Sequence, residues 1–469
     1  MDATHPPGTR VRWLVAGAFH PSPSGRRFLL TGDSFAEQLG RAASGLSVTV
    51  QDRIGSGDAS SYSLSFDRLR AFHLSEVIGS VPDLRALRAL FDALSGNRAL
   101  DPQDATRLQS VMGTGRLSSA LAGALREGHP SQDARRTALG LVEEALFGTA
   151  RDILQHPVVT RLESSWRGLH WLAEHCPASS GMDIEVLDIA PDQLVDALSR
   201  CLDGPPFQRP DACFILDAID DMDTLHALAA LGDQTWVPMV VAVKEALPQE
   251  AWSRLRADEA SRWLCAALNP VVMMAEQQGE VRRECFTSPV LAVAAMLAAS
   301  YGKTRTFARL TGPGSGTRAP AVWRPKTAST LATEAGLSLH EQQRLAARGL
   351  VGVSGWWDSD AVQLAAAPTV YGGRDATPLP AQLLTGRIVR LALELTGRIP
   401  AGASAEAVST LFSRATEMLL ATGPERPWRL QGRVVSTGNG ERGVHVSASL
   451  RPELAGTHVQ FELTLPLRG

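Results

Sequence analysis

Residues 156–172 read HPVVTRLESSWRGLHWL. Leu162, Trp166, Leu169 and Leu172 stand four, three and three residues apart, so a helix places them on one face. Glu163 precedes Arg167 by four residues, the favourable acid-first order for an ion pair on a helix surface. Pro157 suits a first helical turn, and His156 beside it is placed as well to cap the helix as to do chemistry. The stretch therefore predicts an amphipathic core helix with one large aromatic anchor and a packing task.

Immediately upstream, 132–154 reads as a further helix, apolar at Leu139, Leu141, Val142, Leu146 and Ile153. Residues 98–131 are more polar, and Gly113, Gly115, Gly123 and Gly128 interrupt their helical patches, which predicts a linker. The region 1–97 opens with a buried strand at 11–19, VRWLVAGAF, followed by the turn residues PSPSG and a second strand at 27–30. Asp33 or Ser34 is placed to cap a short helix with Phe35, Leu39 and Ala42 inward. Strands follow at 46–50 and 62–66. Pro82 then starts a helix whose stripe is Leu84, Leu87, Leu90, Phe91 and Leu94, ended by Gly96, with Arg85, Arg88 and Asp92 facing outward.

Downstream, 184–243 alternates strand and helix, and the strand runs ACFILDAI and WVPMVVAV carry almost no polar breaks. Such runs are buried on both faces, as in a sheet between helical layers. The fold class is therefore α/β, with mixed sheets flanked by helices. At the far end, 444–467 reads VHVSASLRPELAGTHVQFELTLPL, two alternating strands around a turn.

The chain has 469 residues, 44% of them hydrophobic, enough for two or three cores. Its formal net charge is −3 with both signs interspersed, which offers no nucleic-acid groove and no polybasic membrane anchor. The apolar stretch 290–299 is too short to span a bilayer, which takes about 20 such residues. Cys176, Cys201, Cys213, Cys265 and Cys285 show no CxxC spacing, and MDATHPPGTR is no export signal, so reduced thiols and a cytoplasmic setting are expected. Ten tryptophans, with Trp356 and Trp357 in a polar context, hint at interfaces.

The wording of 156–172 resembles the "H-P-x-F-x-x-L-E-x-x-W-R-G-L" signature of the large sheath subunit (TssC, or VipB) of type VI secretion systems, with Val159 in place of the Phe. The first hundred residues resemble the small sheath subunit (TssB, or VipA). LVAGAFHPSPSG, RRFLLTGDSF and LSFDRLRAFHLSEVIGSVPDLRAL follow its motifs in order; Phe72 and His73 match its Phe-His pair, and Leu74 replaces the next Pro. The segment 251–274 is similar to the large subunit's "W-x-x-x-R-x-x-x-x-A-R-Y" region, and Leu450, Arg451 and Pro452 reproduce its terminal L-R-P. The resemblance implies a natural fusion, with 1–97 like the small subunit, 98–131 linking, and 132–469 like the large one.

What the resemblance implies is mechanical. Protomers self-assemble helically around an Hcp-like inner tube on baseplate proteins, a ClpV-like AAA+ unfoldase recycles them, and contraction drives the tube outward. Residues His156, Leu162, Glu163, Trp166, Arg167, Gly168 and Leu169 form its signature helix. The terminal strands, 443–469, with Val444, Val446, Leu450, Arg451, Pro452, Val459, Phe461 and Leu463, would join an intersubunit sheet by backbone pairing. Only ten residues precede the first core strand, three of them Pro or Gly, so a donated N-terminal strand of usual length hardly fits. That favours a rival expectation, a non-contractile sheath-derived structural or adaptor protein forming rings, a shell or a tube cap.

No enzymatic constellation accompanies these motifs, although an α/β enzyme with a cryptic site is a third reading. Gly302-Lys303-Thr304 resembles the end of a phosphate-binding loop, but Leu297 stands where that loop needs glycine. The stretch 312–316, GPGSG, lacks nucleophile-elbow spacing. Asp217, Asp220, Asp221 and Asp223 lack the EF-hand pattern and suit a helix start. His170 and His175 belong to no HExxH or Cys/His quartet. No cofactor, metal or nucleic acid is expected.

Overall fold

The computed structural model describes residues 10–55, 57–96, 101–124, 132–177, 180–244, 246–312, 314–322, 330–400, 402–419, 428–436 and 442–467. The first strands are β1 (Val11–Gly17) and β2 (Arg27–Leu30), then helix α1 (Gly32–Ala42) and the hairpin β3 (Leu46–Gln51) and β4 (Ala59–Leu64). Thr31, not Asp33 or Ser34, caps α1: its hydroxyl accepts from the Ser34 N–H while the Ser34 side chain reaches back, a reciprocal box. A 3₁₀ turn at Leu69–Phe72 leads into α2 (Leu74–Ser80) and α3 (Pro82–Leu94).

Two further helices, α4 (Pro102–Met112) and α5 (Arg116–Ala124), occupy the described part of the expected linker and pack against α3 and against α6 (Gln132–Leu154). Two of the expected linker's glycines serve the turn between α4 and α5: Gly113 takes φ 45°, and a Cβ on Gly115 would sit 2.3 Å from the Gly55 carbonyl oxygen. Then comes α7 (Pro157–Glu174), the helix read from 156–172.

An α/β run follows: β5 (Met182–Asp188), α8 (Leu194–Leu202), β6 (Ala212–Ile219), α9 (Met222–Thr235), β7 (Met239–Val243), α10 (Gln249–Ala257) and β8 (Leu264–Leu268). Trp236 does not open β7; it closes α9 in a left-handed conformation, φ 58°. A hairpin, β9 (Val271–Gln278) and β10 (Val281–Thr287), precedes α11 (Pro289–Thr304). The rest is β11 (Thr317–Arg318), α12 (Leu339–Ala347), β12 (Leu350–Gly355), β13 (Ala361–Leu364), α13 (Leu379–Gly397) and α14 (Ala405–Leu419). Last come β14 (Trp428–Ser436), β15 (Arg442–Leu450), the turn-length α15 (Pro452–Ala455) and β16 (Val459–Pro466).

Nine strands form one sheet in the order β11-β13-β12-β8-β7-β6-β1-β5-β2, parallel from β12 to β5 and antiparallel at both ends. β1 lies inside it, pairing with β5 on one side and β6 on the other. The region 1–97 is thus woven into the sheet of the later region rather than standing beside it. One face, with Trp13 and Val15, meets α7 and α11; the other, with Leu14 and Ala16, meets α8 and α9. α11 is buried nearly all round, which accounts for its unbroken apolar sequence.

The α3 stripe packs as its spacing predicts. Leu84 and Leu87 are fully buried, and Phe91 meets Phe147 of α6 edge-on at 6.2 Å between ring centres. Arg85 is exposed, whereas Arg88 and Asp92 are half-buried and pair across one turn. Leu87→Asp is expected to cost about 3 kcal/mol or more, because its carboxylate meets no partner there. Arg85→Ala is expected to change stability by no more than about 0.5 kcal/mol. Denaturant unfolding of both variants checks this; equal midpoints would refute the packing.

Candidate functional site

α7 is covered on more sides than its stripe predicts. Val159, Leu162, Trp166, Leu169, Trp171 and Leu172 are buried, and so are Glu163, Ser165 and Gly168. Trp166 donates its indole N–H to the Phe19 carbonyl at 2.9 Å and lies edge-on to Phe19 and Phe35. It thereby ties α7 to the end of β1 and to α1. Gly168 marks a close approach: a Cβ there would lie 2.0 Å from Thr287 Oγ1 and 2.5 Å from Leu291 Cδ1. Any larger residue would push α11 away. His156 stands at the N-cap but makes no side-chain capping bond, and its buried Nδ1 has no hydrogen-bond partner among the described residues. The expected histidine cap is therefore absent; Thr160 closes this end by donating to the Leu154 carbonyl.

The Glu163–Arg167 pair is not on the surface. Glu163 is 0% exposed and accepts from Arg167 Nε at 2.7 Å and from Arg283 Nη1 at 2.5 Å. Arg283, on β10, also donates to Glu276 of β9 at 2.7 Å and to the Phe72 carbonyl at 2.6 Å. Arg167 reaches the Leu69 carbonyl at 3.0 Å. Glu276 in turn accepts the Leu74 N–H at the start of α2 and contacts His73 Nδ1 at 3.2 Å. Two carboxylates and two guanidiniums thus balance, and most of their remaining bonds go to the segment 69–74, three of its backbone groups and the His73 ring.

Burial alone would raise the Glu276 carboxyl, but the His73 hydrogen bond, the Arg283 charge and the Leu74 N–H hold it below its ordinary range. Burial works against the Arg283 charge, yet Glu163 and then Glu276 hold its pKa above the ordinary value. Both directions describe ionised partners. Neither Glu276 nor Arg283 carries any sequence signal of burial, because the β9–β10 hairpin lies far beyond α7 in the chain.

The terminal strands form a three-stranded sheet, β14-β15-β16, not a pair. β15 is its centre, with Val444, Val446, Ala448 and Leu450 buried. Gly432 leaves room for Phe412 of α14, whose ring a Cβ would meet at 2.5 Å. On β16 Val459 is buried, and Phe461, Leu463 and Leu465 are half-buried against the core. Arg451 and Pro452 are exposed and start α15. Among the described residues β14 and β16 each pair on one side only, which leaves two open edges.

The other residues singled out in the sequence find structural places. Asp221 caps α9, accepting from Asp223 and Thr224 N–H groups. Lys303 and Thr304 end α11, and Thr304 donates to the Ser300 carbonyl. His175 Nδ1 donates to the Trp171 carbonyl and its Nε2 meets the Thr317 hydroxyl, and His170 lies 3.6 Å from Glu174. All five cysteines are free, and burial pushes the Cys213, Cys265 and Cys285 thiols up, away from a reactive thiolate. Among the described residues no group of three or more His, Cys, Asp or Glu could hold a metal ion, and no helix is long and apolar enough to cross a membrane. Trp356 and Trp357 are 57% and 65% exposed.

Glu163→Gln is expected to cost about 3–5 kcal/mol, because it leaves two buried guanidiniums facing one carboxylate; an unchanged denaturation midpoint would contradict the cluster. Glu276 has a lowered folded pKa, so its contribution is full above the unfolded carboxylate value of about 4.3 and fades as pH falls through the folded one. The thermal midpoint should therefore drop on acidification below about pH 4. Glu276→Gln should show a lower midpoint at neutral pH and a shallower acid decline, read by calorimetry across the pH series.

Residues 138–205, which contain α7, match the family described as VipB: EvpB/VC_A0108, tail sheath N-terminal domain. A comparison with curated proteins finds no match. Among solved structures the chain is similar to one in the anti-feeding prophage (AFP) baseplate, at 10% identity over 65% of this chain and 78% of that one, TM-score 0.38. It is similar to the AFP helical sheath in the contracted state, at 13% identity over 61% and 75%, TM-score 0.35. It is also similar to the sheath tail protein Lin1278 from Listeria innocua, at 14% identity over 61% and 62%, TM-score 0.35. The fold is mixed α/β with sheets flanked by helices, and the chain matches contractile-sheath proteins of the VipB type over the segment built around α7.

Proposed function

We propose that this chain is a structural sheath subunit of a type VI secretion-like contractile apparatus, with counterparts of the small and large sheath subunits in one polypeptide. The observation that carries the proposal is the match of 138–205 to a tail sheath domain, centred on the helix whose buried residues knit the molecule together. The charge cluster supports the fusion reading. Phe72 and His73, from the region resembling the small subunit, meet Arg283 and Glu276 from the region resembling the large one.

On this proposal the work is mechanical and needs no cofactor. Copies stack helically in the cytoplasm around an Hcp-like tube, start from baseplate proteins, contract to drive the tube outward, and are recycled by a ClpV-like unfoldase. The open edges of β14 and β16 are the natural linkers, since an unpaired edge offers a row of backbone donors and acceptors to a strand from a neighbour.

Removing 444–469 is too severe a test, because Val444 is fully buried at the start of the central strand. A chain ending at 457 removes only β16. Electron microscopy of the purified full chain should show helical or ring-like particles, and the shortened chain, folded by circular dichroism, should not form them. Excess synthetic peptide 459–467 should also suppress assembly of the intact chain by occupying the edge. Particles that persist under both conditions would rule out β16 as the linker, and closed rings or shells alone would favour the non-contractile alternative.

A further inference from the structure

A cavity of about 450 Å³ lies between α8 and the β1–β5–β2 end of the large sheet, remote from the charge cluster around Arg283. Four arginines line it: Arg12 of β1, Arg27 of β2, Arg200 near the end of α8, and Arg209 before β6, with Gln193 and Gln208 between them. Among the described residues no carboxylate lines it. Arg27 is already matched by Glu185. Among the described residues Arg12, Arg200 and Arg209 form no ion pair, although the charge of Asp203 acts on Arg209.

Two of these side chains are held in place by backbone carbonyls. Arg12 donates one Nη2 hydrogen bond to the Arg209 carbonyl at 3.1 Å. Arg209 donates Nε to the Gly204 carbonyl at 3.1 Å and Nη1 to the Thr235 carbonyl at 3.2 Å. Carbonyls orient a guanidinium without neutralising it, and each guanidinium has five N–H donors, so both retain donors as well as charge. Arg200 is exposed and adds a third charge to the lining. The concavity gathers unneutralised like charges, which repel one another until an anion enters.

We propose that this cavity binds a small multivalent oxyanion of the phosphate class, a pyrophosphate-like group. Its volume falls in the range of small-molecule sites, about 300–1,000 Å³. Planar guanidinium forks match the paired oxygens of phosphate better than they match water. Three uncompensated positive charges call for a ligand with more than one negative charge. The site is independent of sheath assembly, so it stands or falls on its own measurement.

The test is isothermal titration calorimetry on the full chain in low-salt chloride buffer, with inorganic pyrophosphate, inorganic phosphate and a polyglutamate peptide as probes. Pyrophosphate should bind saturably at one site per chain, and phosphate more weakly. Arg200→Glu, at an exposed residue, should weaken pyrophosphate binding by about tenfold or more without lowering the ligand-free melting midpoint. Arg200→Gln should give a smaller loss in the same direction, and Arg85→Glu, the same charge change on an exposed residue of α3, should give none. Absence of saturable pyrophosphate binding overturns the proposal, as does an equal loss in Arg85→Glu. Tighter binding of polyglutamate than of pyrophosphate also overturns it, assigning the cavity to an acidic protein segment.

Discussion

Arg283 is the residue on which the arrangement of the molecule turns. Its side chain is 3% exposed, and a guanidinium in that position is tolerable only if carboxylates and carbonyls surround it. Glu163 comes from α7, Glu276 from the facing strand of its own hairpin, and the Phe72 carbonyl from the region before α2. Three parts of the chain, distant in sequence, must therefore arrive in one geometry together. Apolar contacts tolerate sliding because they are not directional. Short charge-assisted hydrogen bonds do not, so this cluster fixes the register in which α7, the hairpin and α2 meet.

The position of β1 imposes a second constraint. A strand between β5 and β6 cannot be added to a finished sheet from outside; both neighbours need its backbone groups. The regions 1–97 and 132–469 consequently complete each other's hydrogen bonding as well as each other's core. On the proposed fusion reading, one chain replaces an encounter between two molecules with an intramolecular one at high effective concentration. Stoichiometry is then fixed by covalent linkage, and the helices α4 and α5, packed on α3 and α6, make the connection part of the body.

Periodicity revealed most elements that have one apolar face or none that is polar. β1, α1, α3, α6, α7 and the β5–β7 run follow from spacing alone, as does the alternation of β15 and β16. The failures share a cause: spacing shows which face of an element is apolar, not how many of its faces are covered. Glu163 looked like a surface residue because its helical neighbour Arg167 could pair with it in water, and nothing near it announces Arg283, 120 residues away. The β9–β10 hairpin and β14 were not read from sequence. In β10, VRRECFT carries three charged residues in a row, Arg282, Arg283 and Glu284, and the inward one, Arg283, looks no different from its exposed neighbour Arg282. Gly168 could have been inferred, since a glycine inside an otherwise strong helix usually marks a close approach.

On the proposed reading, load entering at the C-terminal sheet has a definite route inward. β16 packs against α13, and α13 carries Arg387 and Arg390, both buried. Arg390 donates to Asp211 at 2.6 Å and to the Trp236 carbonyl, and Arg387 lies 3.6 Å from the same Asp211. Asp211 in turn accepts the Arg12 N–H at the start of β1. Burial pushes the Arg390 pKa down, while the Asp211 charge works to keep it ionised. A pull on the edge strand is thus passed through ionic hydrogen bonds to the middle of the large sheet, at the end of β1 opposite to the one held by Trp166. Held at one end through Asp211 and at the other through α7, the strand transmits displacement as a rigid element. A helix attached by apolar packing alone would slip first, so a directional bond at each joint, ionic at Asp211 and neutral from Trp166 to Phe19, is what a body that must rotate under load without deforming requires.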